Sequence, residues 1–222
     1  MDERDRIEAA RLLYERAVFD GDTTALDRAD SALDSVEAEL SLARGRVVHG
    51  RHLADRRGGP AGACGGGDEL ALFELSASLC RRNGDQRGEA EALLWMGIFH
   101  QVLREDNATA APLLTRSAEL ATLVGDRLTL SYVLRHLGIA EHMAGNLDSA
   151  RELLEQSTRV RRRLGFSASV AANLVGLSYI ALGQGRAGDA ATLLDEAGTL
   201  AHNDGAVAIA DQVRTARKRL SD

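Results

Sequence analysis

The chain has 222 residues, of which 45% are hydrophobic, 27% charged and 4% aromatic, and its formal net charge is −6. This composition is typical of a soluble globular protein, and the negative charge argues against nucleic acid as a partner because phosphate binding requires a basic surface. No apolar run approaches the roughly 18 residues of a membrane span, and the charged start Met1–Arg4 lacks a signal-peptide core, so we expect a cytoplasmic protein without a membrane partner.

Two helical hairpins are predicted within residues 1–57. The first comprises residues 3–20 and 23–34, joined by a turn whose polar residues can cap the second helix. The second hairpin begins near Ser35, and Gly45 lies inside its first helix. That helix carries the apolar residues Val36, Leu40, Ala43, Val47 and Val48.

A glycine-rich segment, Gly58–Gly67, follows and is predicted to be a flexible loop because nothing in it can pack. It lacks the Gly-Lys-Ser/Thr ending and the preceding strand of a P-loop, which argues against phosphate binding. Asp68 is predicted to cap the return helix. The inward residues of that helix are predicted to be Leu70, Leu72, Phe73, Leu75 and Leu79. Cys64 in the loop and Cys80 in the helix have no zinc-binding spacing, and we expect no metal and no other cofactor.

Regular repeats occupy residues 68–204. Three stretches, 90–123, 131–164 and 169–202, are versions of one another, each with an apolar helix, a short turn and a second apolar helix. Their central glycines are Gly97, Gly138 and Gly176, which gives a period of 41 and then 38 residues, and Gly45 occupies the same slot earlier in the chain. Such a period is typical of stacked helical units that bury one face against the next.

The C-terminal residues 205–222 are predicted to form a capping helix with a polar outer face. With no alternating β-branched runs, we expect about eleven helices, no sheet and one continuous array over residues 1–222. A local run of cations is interpreted as the polar last turn of a helix, where positive charge suits the helix dipole. It consists of Arg159, Arg161, Arg162 and Arg163.

The unit around Gly138 resembles the tetratricopeptide repeat (TPR). That family has a Leu-Gly pair in its first helix, a glycine seven residues later and an alanine five further on, and Gly138, Gly145 and Ala150 match all three. The next best match has Leu174, Gly176, Tyr179 and Gly183. The unit at Gly97 departs from the pattern because Arg104 replaces the turn glycine.

The resemblance implies a right-handed superhelical solenoid of about five antiparallel helical hairpins plus a C-terminal capping helix. The longer period is similar to the extended repeats of bacterial transcriptional activators of the maltose-regulator type and of actinobacterial regulators. In those proteins, arrays of this kind sense ligands or partners.

The resemblance also implies which side chains line the concave groove, since the first helix of each unit forms that face. Carried over from the repeat glycines, the polar groove residues are Arg46, His49, Glu91, Gln101, Tyr132, Arg135, His142 and Asn173. Arg135 and Asn173 could hold a carboxylate, because some members of the family clamp a peptide C-terminus at such positions. The alternative is that Arg135 pairs with Glu91 as an ordinary ion pair.

Other polar and aromatic side chains have structural interpretations. We expect His100 and His136 to pack between helices, and Trp95 to lie in the core or, if exposed, to anchor a partner. The favoured function is a non-catalytic module that binds a protein or peptide in its groove, as an adaptor or regulator. The alternatives are a sensor of a small molecule or signalling peptide, an enzyme of a biosynthetic pathway, and an assembly factor that self-associates through its end hairpins, so a homodimer is possible.

Overall fold

The computed structural model describes residues 3–58 and 67–221, and all the regular structure in these residues is helical. The ten α-helices are α1 (Glu3–Phe19), α2 (Thr24–Gly58), α3 (Gly67–Arg82), α4 (Gln86–Ile98), α5 (Asn107–Leu123), α6 (Arg127–Met143), α7 (Leu147–Arg163), α8 (Ser167–Gly183), α9 (Ala187–Asn203) and α10 (Val207–Ser221). A π-helical segment, Phe99–Leu103, continues α4. The all-α prediction is therefore confirmed. None of the described helices is long and apolar enough to cross a bilayer.

The chain divides into two compact units, residues 1–120 and 121–222. Within each unit, helices that follow one another in sequence pack side by side, as expected of helical hairpins with short connections. Unit 1 contains α1 to α4, the π-helical segment and most of α5, and unit 2 contains α6 to α10. The prediction that residues 1–222 form one continuous array stays a prediction.

The helix break predicted near Ser35 is wrong. Helix α2 runs without interruption for 35 residues, and the hydroxyl of Ser35 donates a hydrogen bond to the carbonyl of Ser31 within it. Neither glycine nor proline occurs between Thr24 and Arg44, so nothing in this stretch stops a helix. The structure consequently has ten described α-helices rather than about eleven. The predicted loop Gly58–Gly67 falls mostly on residues 59–66, which lie outside the described residues.

A module of 20 residues repeats through the C-terminal half. Each of the helices α5 to α9 has 17 residues and is followed by a three-residue turn. The middle residue of every turn is a glycine with positive φ, between 62° and 84°, a conformation that is costly for other residues. These glycines are Gly125, Gly145, Gly165, Gly185 and Gly205.

The turn before α5 departs from this pattern. Its left-handed residue is Glu105, with φ of 55°, and not the predicted Arg104. The π-helical segment adds one residue to the end of α4, which moves the turn by one position.

The central glycines lie where two helices approach closely. A Cβ atom at Gly138 would come within 2.1 Å of Leu154 Cδ1 on the paired helix α7, and one at Gly97 would come within 2.7 Å of Leu114 on α5. Gly45 stands in the same relation to the ring of Phe73 on α3. The prediction that these glycines allow close helix packing is therefore confirmed.

The predicted register of the last repeat is wrong by two residues. Because a hairpin of two modules has 40 residues, the structural equivalent of Gly138 is Ser178, which is fully buried, and not Gly176. A Cβ atom at Gly176 would instead meet Leu154 of the preceding helix α7. Serine is small enough to lie where the two helices approach closely. The position of the glycine alone therefore predicts the wrong residue for this contact. The equivalent of Arg135 is then Val175, not Asn173.

Candidate recognition sites

An aromatic and charged patch lies in unit 1 where α2 packs against α4. Arg46 Nη2 donates to Glu91 Oε1, and the Arg46 guanidinium lies 5.2 Å from the centroid of the Trp95 ring. Trp95 stacks on buried Phe73, with ring centroids 5.8 Å apart, and is itself only partly buried. Trp95 is thus an edge residue of the core, and Arg46 and Glu91 are both half-exposed beside it.

A buried carboxylate lies under this patch. Glu69 Oε1 is 2.7 Å from His49 Nδ1, Glu69 Oε2 is 2.7 Å from His52 Nδ1, and Glu69 has no exposed surface. Each carboxylate oxygen thus meets one histidine ring nitrogen, and the three side chains form one hydrogen-bonded network. The His49 ring also contacts Trp95 edge-on, at 5.5 Å between centroids.

Sequence reasoning missed Glu69 and His52. The spacing of His49 and His52, three residues apart on one helix, places them on one face and was the available signal. Glu69 follows the glycine-rich segment, so its partners could not be read from local sequence. His49 is 6% exposed and serves this internal network.

Asn173 is the centre of a polar network in unit 2 that joins α6, α7 and α8. Its Oδ1 accepts from Arg135 Nη1 at 2.9 Å and from Arg161 Nη1 at 3.1 Å. Its Nδ2 donates to Ser157 Oγ at 2.8 Å and to Thr158 Oγ1 at 3.2 Å. Asn173 is completely buried, so it positions the two arginines and presents no surface for a direct partner contact in this conformation.

Arg161 lies in the interior, which corrects its interpretation as part of a solvated last turn. It is 2% exposed, and its guanidinium lies 4.6 Å from the centroid of the Tyr132 ring. Helical spacing places Arg161 on the buried face of α7 together with Leu154, Ser157 and Thr158. The other residues of the run, Arg159, Arg162 and Arg163, are exposed.

The two arginines share this interior without a negative partner. Arg135 Nη1 and Arg161 Nη1 additionally reach only backbone carbonyls, those of Ala172 and Ser169. Among the described residues, no carboxylate forms an ion pair with either guanidinium, and Arg161 Nε and Nη2 have no hydrogen-bond partner. Burial lowers the pKa of Arg135, and burial together with the charge of Arg135 lowers the pKa of Arg161 to about 10.

The remaining predicted groove residues divide by exposure. Gln101 is 6% exposed and donates to Asn107 Oδ1 at 2.9 Å inside unit 1. Tyr132, Arg135 and His142 are partly exposed along α6, and His142 Nδ1 is buried without a partner among the described residues. The alternative pairing of Arg135 with Glu91 is not what the structure shows, since Glu91 accepts from Arg46 and Arg135 donates to Asn173.

The comparisons with known proteins agree with the helical-repeat architecture. The family model of the tetratricopeptide repeat matches residues 88–163, which confirms the resemblance for that part of the chain. The crystal structure of BtubC (BKLC) from P. vanneervenii is similar at a TM-score of 0.54 and 13% identity, over 91% of this chain and 91% of that chain, a likeness that shows the fold alone. No curated protein matches the sequence. The repeats indicate a protein-interaction module, whereas the similarity to maltose-regulator-type repeats stays a prediction.

Proposed function

We propose that the chain is a non-catalytic adaptor whose second unit binds an acidic segment of a partner protein at Arg135 and Arg161. The observation that carries the proposal is the buried Arg161 guanidinium, in which two nitrogens, Nε and Nη2, have no hydrogen-bond partner and a second arginine lies beside it. Tetratricopeptide repeats are interaction modules, and this pair supplies the chemistry that selects the partner.

Two neighbouring cations, Arg161 buried and Arg135 partly exposed, oppose folding unless a negative charge joins them. A buried charge is stabilised by an ion pair with additional hydrogen bonds, and here the described residues supply only neutral acceptors. A carboxylate fits the planar fork of a guanidinium and would accept the unpartnered N–H groups. The partner's side chain or C-terminus completes a pair that unit 2 leaves open.

Access to the pair runs through α6. Tyr132 and Arg135 are partly exposed, while Arg161 lies beneath the Tyr132 ring. A carboxylate reaches Arg135 first and gains Arg161 when the Tyr132 ring turns aside. His142, two turns further along α6, lies on the same side of the helix as Arg135, seven residues away, and can contact the flanking residues of the bound segment.

The test is selection from a displayed random peptide library against the full chain, followed by affinity measurement of the selected peptides. Wild type is expected to select peptides with an Asp, a Glu or a free C-terminal carboxylate at one fixed position. Arg161→Met should weaken their binding by about 10- to 100-fold, because a hydrogen bond to a charged group contributes about 1.5–3 kcal/mol.

Arg163→Met is the matched control, since Arg163 is exposed two residues away on the same helix. The Arg163→Met variant should bind the selected peptides with the same affinity as wild type. Selected peptides without an acidic position, or equal affinities for Arg161→Met and wild type, would overturn the proposal. Binding of a small carboxylic acid as tight as that of the peptide would favour the sensor alternative over the adaptor.

A further inference from the structure

A row of exposed apolar side chains follows the length of α2. Its members recur every seven residues and are each about half exposed, between 44% and 54%. They are Leu26, Leu33, Leu40 and Val47. A seven-residue apolar repeat, here over residues 26–47 of a 35-residue helix, is typical of a coiled-coil seam, in which a second helix covers the row.

The second position of the seam is open in the C-terminal half of the row. Three residues after each member come Ala29, Val36, Ala43 and Gly50, of which Ala29 is buried inside unit 1 and Val36 is half-buried. Ala43 and Gly50 are exposed, and a Cβ atom at Gly50 would meet nothing within 4 Å. Large residues alternating with small ones let the axes of two helices approach closely, so this face is shaped for another helix.

The charges beside the row change sign along the helix. On one flank, unit 1 already uses the charges, since Glu39 pairs with Arg6 of α1 and Arg46 pairs with Glu91 of α4. The other flank carries Asp30, Glu37, Arg44 and Arg51, all exposed and without an ion-pair partner among the described residues.

We propose that the row Leu26–Leu33–Leu40–Val47 is the interface with a second copy of this chain, packed antiparallel through α2. Antiparallel pairing sets Leu26 opposite Val47 and Leu33 opposite Leu40 of the other copy. Asp30 then lies beside Arg44 of the other copy, twice by symmetry. Parallel pairing would instead leave Asp30 beside Ala25 and set Arg51 beside Arg46 of the other copy, and Glu39, which Arg44 would then meet, already pairs with Arg6. The Asp30–Arg44 pair therefore forms only in the antiparallel arrangement.

The first experiment measures the mass of the full chain in solution by sedimentation equilibrium over a wide concentration range. Wild type is expected to form a dimer, and Leu33→Glu/Leu40→Glu is expected to be monomeric with an unchanged helical circular-dichroism spectrum. Leu75→Glu/Leu164→Glu is the control, because both leucines are 38% exposed outside the row, and it should remain dimeric. A monomeric wild type at every concentration overturns the proposal.

Charge reversal tests the orientation. Arg44→Asp should weaken the dimer at least tenfold, and Asp30→Arg/Arg44→Asp should restore it, since the pair is exchanged and not lost. The two Glu37 side chains meet near the symmetry axis in the antiparallel dimer, so Glu37→Gln should tighten it. Failure of the double exchange to restore the dimer would overturn the antiparallel arrangement.

Discussion

At the scale of single residues, Arg161 and Asn173 set the chemistry of unit 2. The Asn173 side-chain oxygen accepts one hydrogen bond from each of the two guanidiniums. Because this oxygen is neutral, it balances the charge of neither. A neutral amide holds both arginines in position without neutralising them. Under the proposed function, an anion from the partner supplies the missing negative charge.

Replacing Arg161 by methionine should stabilise the free protein, which is unusual for a buried residue. Burial and the charge of Arg135 lower the pKa of Arg161 to about 10, which disfavours the charged native state by about 3 kcal/mol at 1.36 kcal/mol per pKa unit. Loss of its two hydrogen bonds offsets part of this, so we expect Arg161→Met to raise the free energy of unfolding by about 1 kcal/mol, measured by urea denaturation at neutral pH.

The lowered pKa of Arg161 also determines how the stability effect of Arg161→Met changes with pH. The native state releases the Arg161 proton at about pH 10 and the unfolded state only at a higher pH, so the penalty is complete below pH 10 and shrinks as pH rises beyond it. The gain from Arg161→Met should shrink in parallel. A variant that is several kcal/mol less stable than wild type at neutral pH would mean that Arg161 is already neutralised in the free protein.

At the scale of helices, close packing depends on where a glycine lies and not on its presence. Gly138 in α6 and Gly50 in α2 are both inside helices, yet a Cβ atom at Gly138 would lie 2.1 Å from Leu154 and one at Gly50 would meet nothing. We expect Gly138→Ala to destabilise the protein by about 1–3 kcal/mol through overpacking. We expect Gly50→Ala to stabilise it by about 0.5–1 kcal/mol, because glycine weakens a helix interior.

Thermal and chemical denaturation of the two variants under identical conditions checks this pair. Changes of opposite sign in the free energy of unfolding would support a close helix-to-helix contact at Gly138. Two stabilising substitutions would show that Leu154 moves aside at little cost, and that α6 and α7 are not held at this distance by the glycine.

Part of the helical architecture could be predicted from sequence because turns and close contacts leave local marks. Gly145 and Gly183 are near hairpin turns, and Gly97 and Gly138 mark contacts between paired helices. The helix break predicted near Ser35 is wrong because no glycine or proline between Thr24 and Arg44 ends the helix. The register predicted from Gly176 is wrong because serine can replace glycine where two helices approach closely. The left-handed turn glycines give the correct register, since helix length sets their spacing.

The candidate sites were less predictable because they depend on contacts between distant residues. Arg135 and Asn173 are predicted from sequence to line a groove together, whereas in the structure Asn173 is fully buried and holds Arg135 and Arg161 in an internal network. Arg161 lay within a run of arginines, and only its helical phase with Leu154 distinguishes it from its exposed neighbours. The partners of Glu69 lie on the far side of the glycine-rich segment, beyond the reach of local patterns.

At the scale of the whole molecule, the two units offer different surfaces. Unit 1 has the apolar row of α2 and the patch around Trp95, and unit 2 has the open arginine pair. An adaptor needs one surface to assemble and another to recognise, and a dimer through α2 would carry two recognition sites. Two linked sites bind a partner with repeated acidic segments more tightly than one site does, provided both can be reached at once.

In the proposed function, Arg161 binds a carboxylate of the partner protein, and a double-mutant cycle tests this contact most directly. Calorimetric titration would compare a selected acidic peptide with its amide analogue, Glu to Gln or Asp to Asn at the acidic position, against wild type and Arg161→Met. We expect a coupling energy of about 1.5–3 kcal/mol between the peptide carboxylate and Arg161. Additive effects, with no coupling within error, would contradict the account and leave the arginine pair a purely structural feature of unit 2.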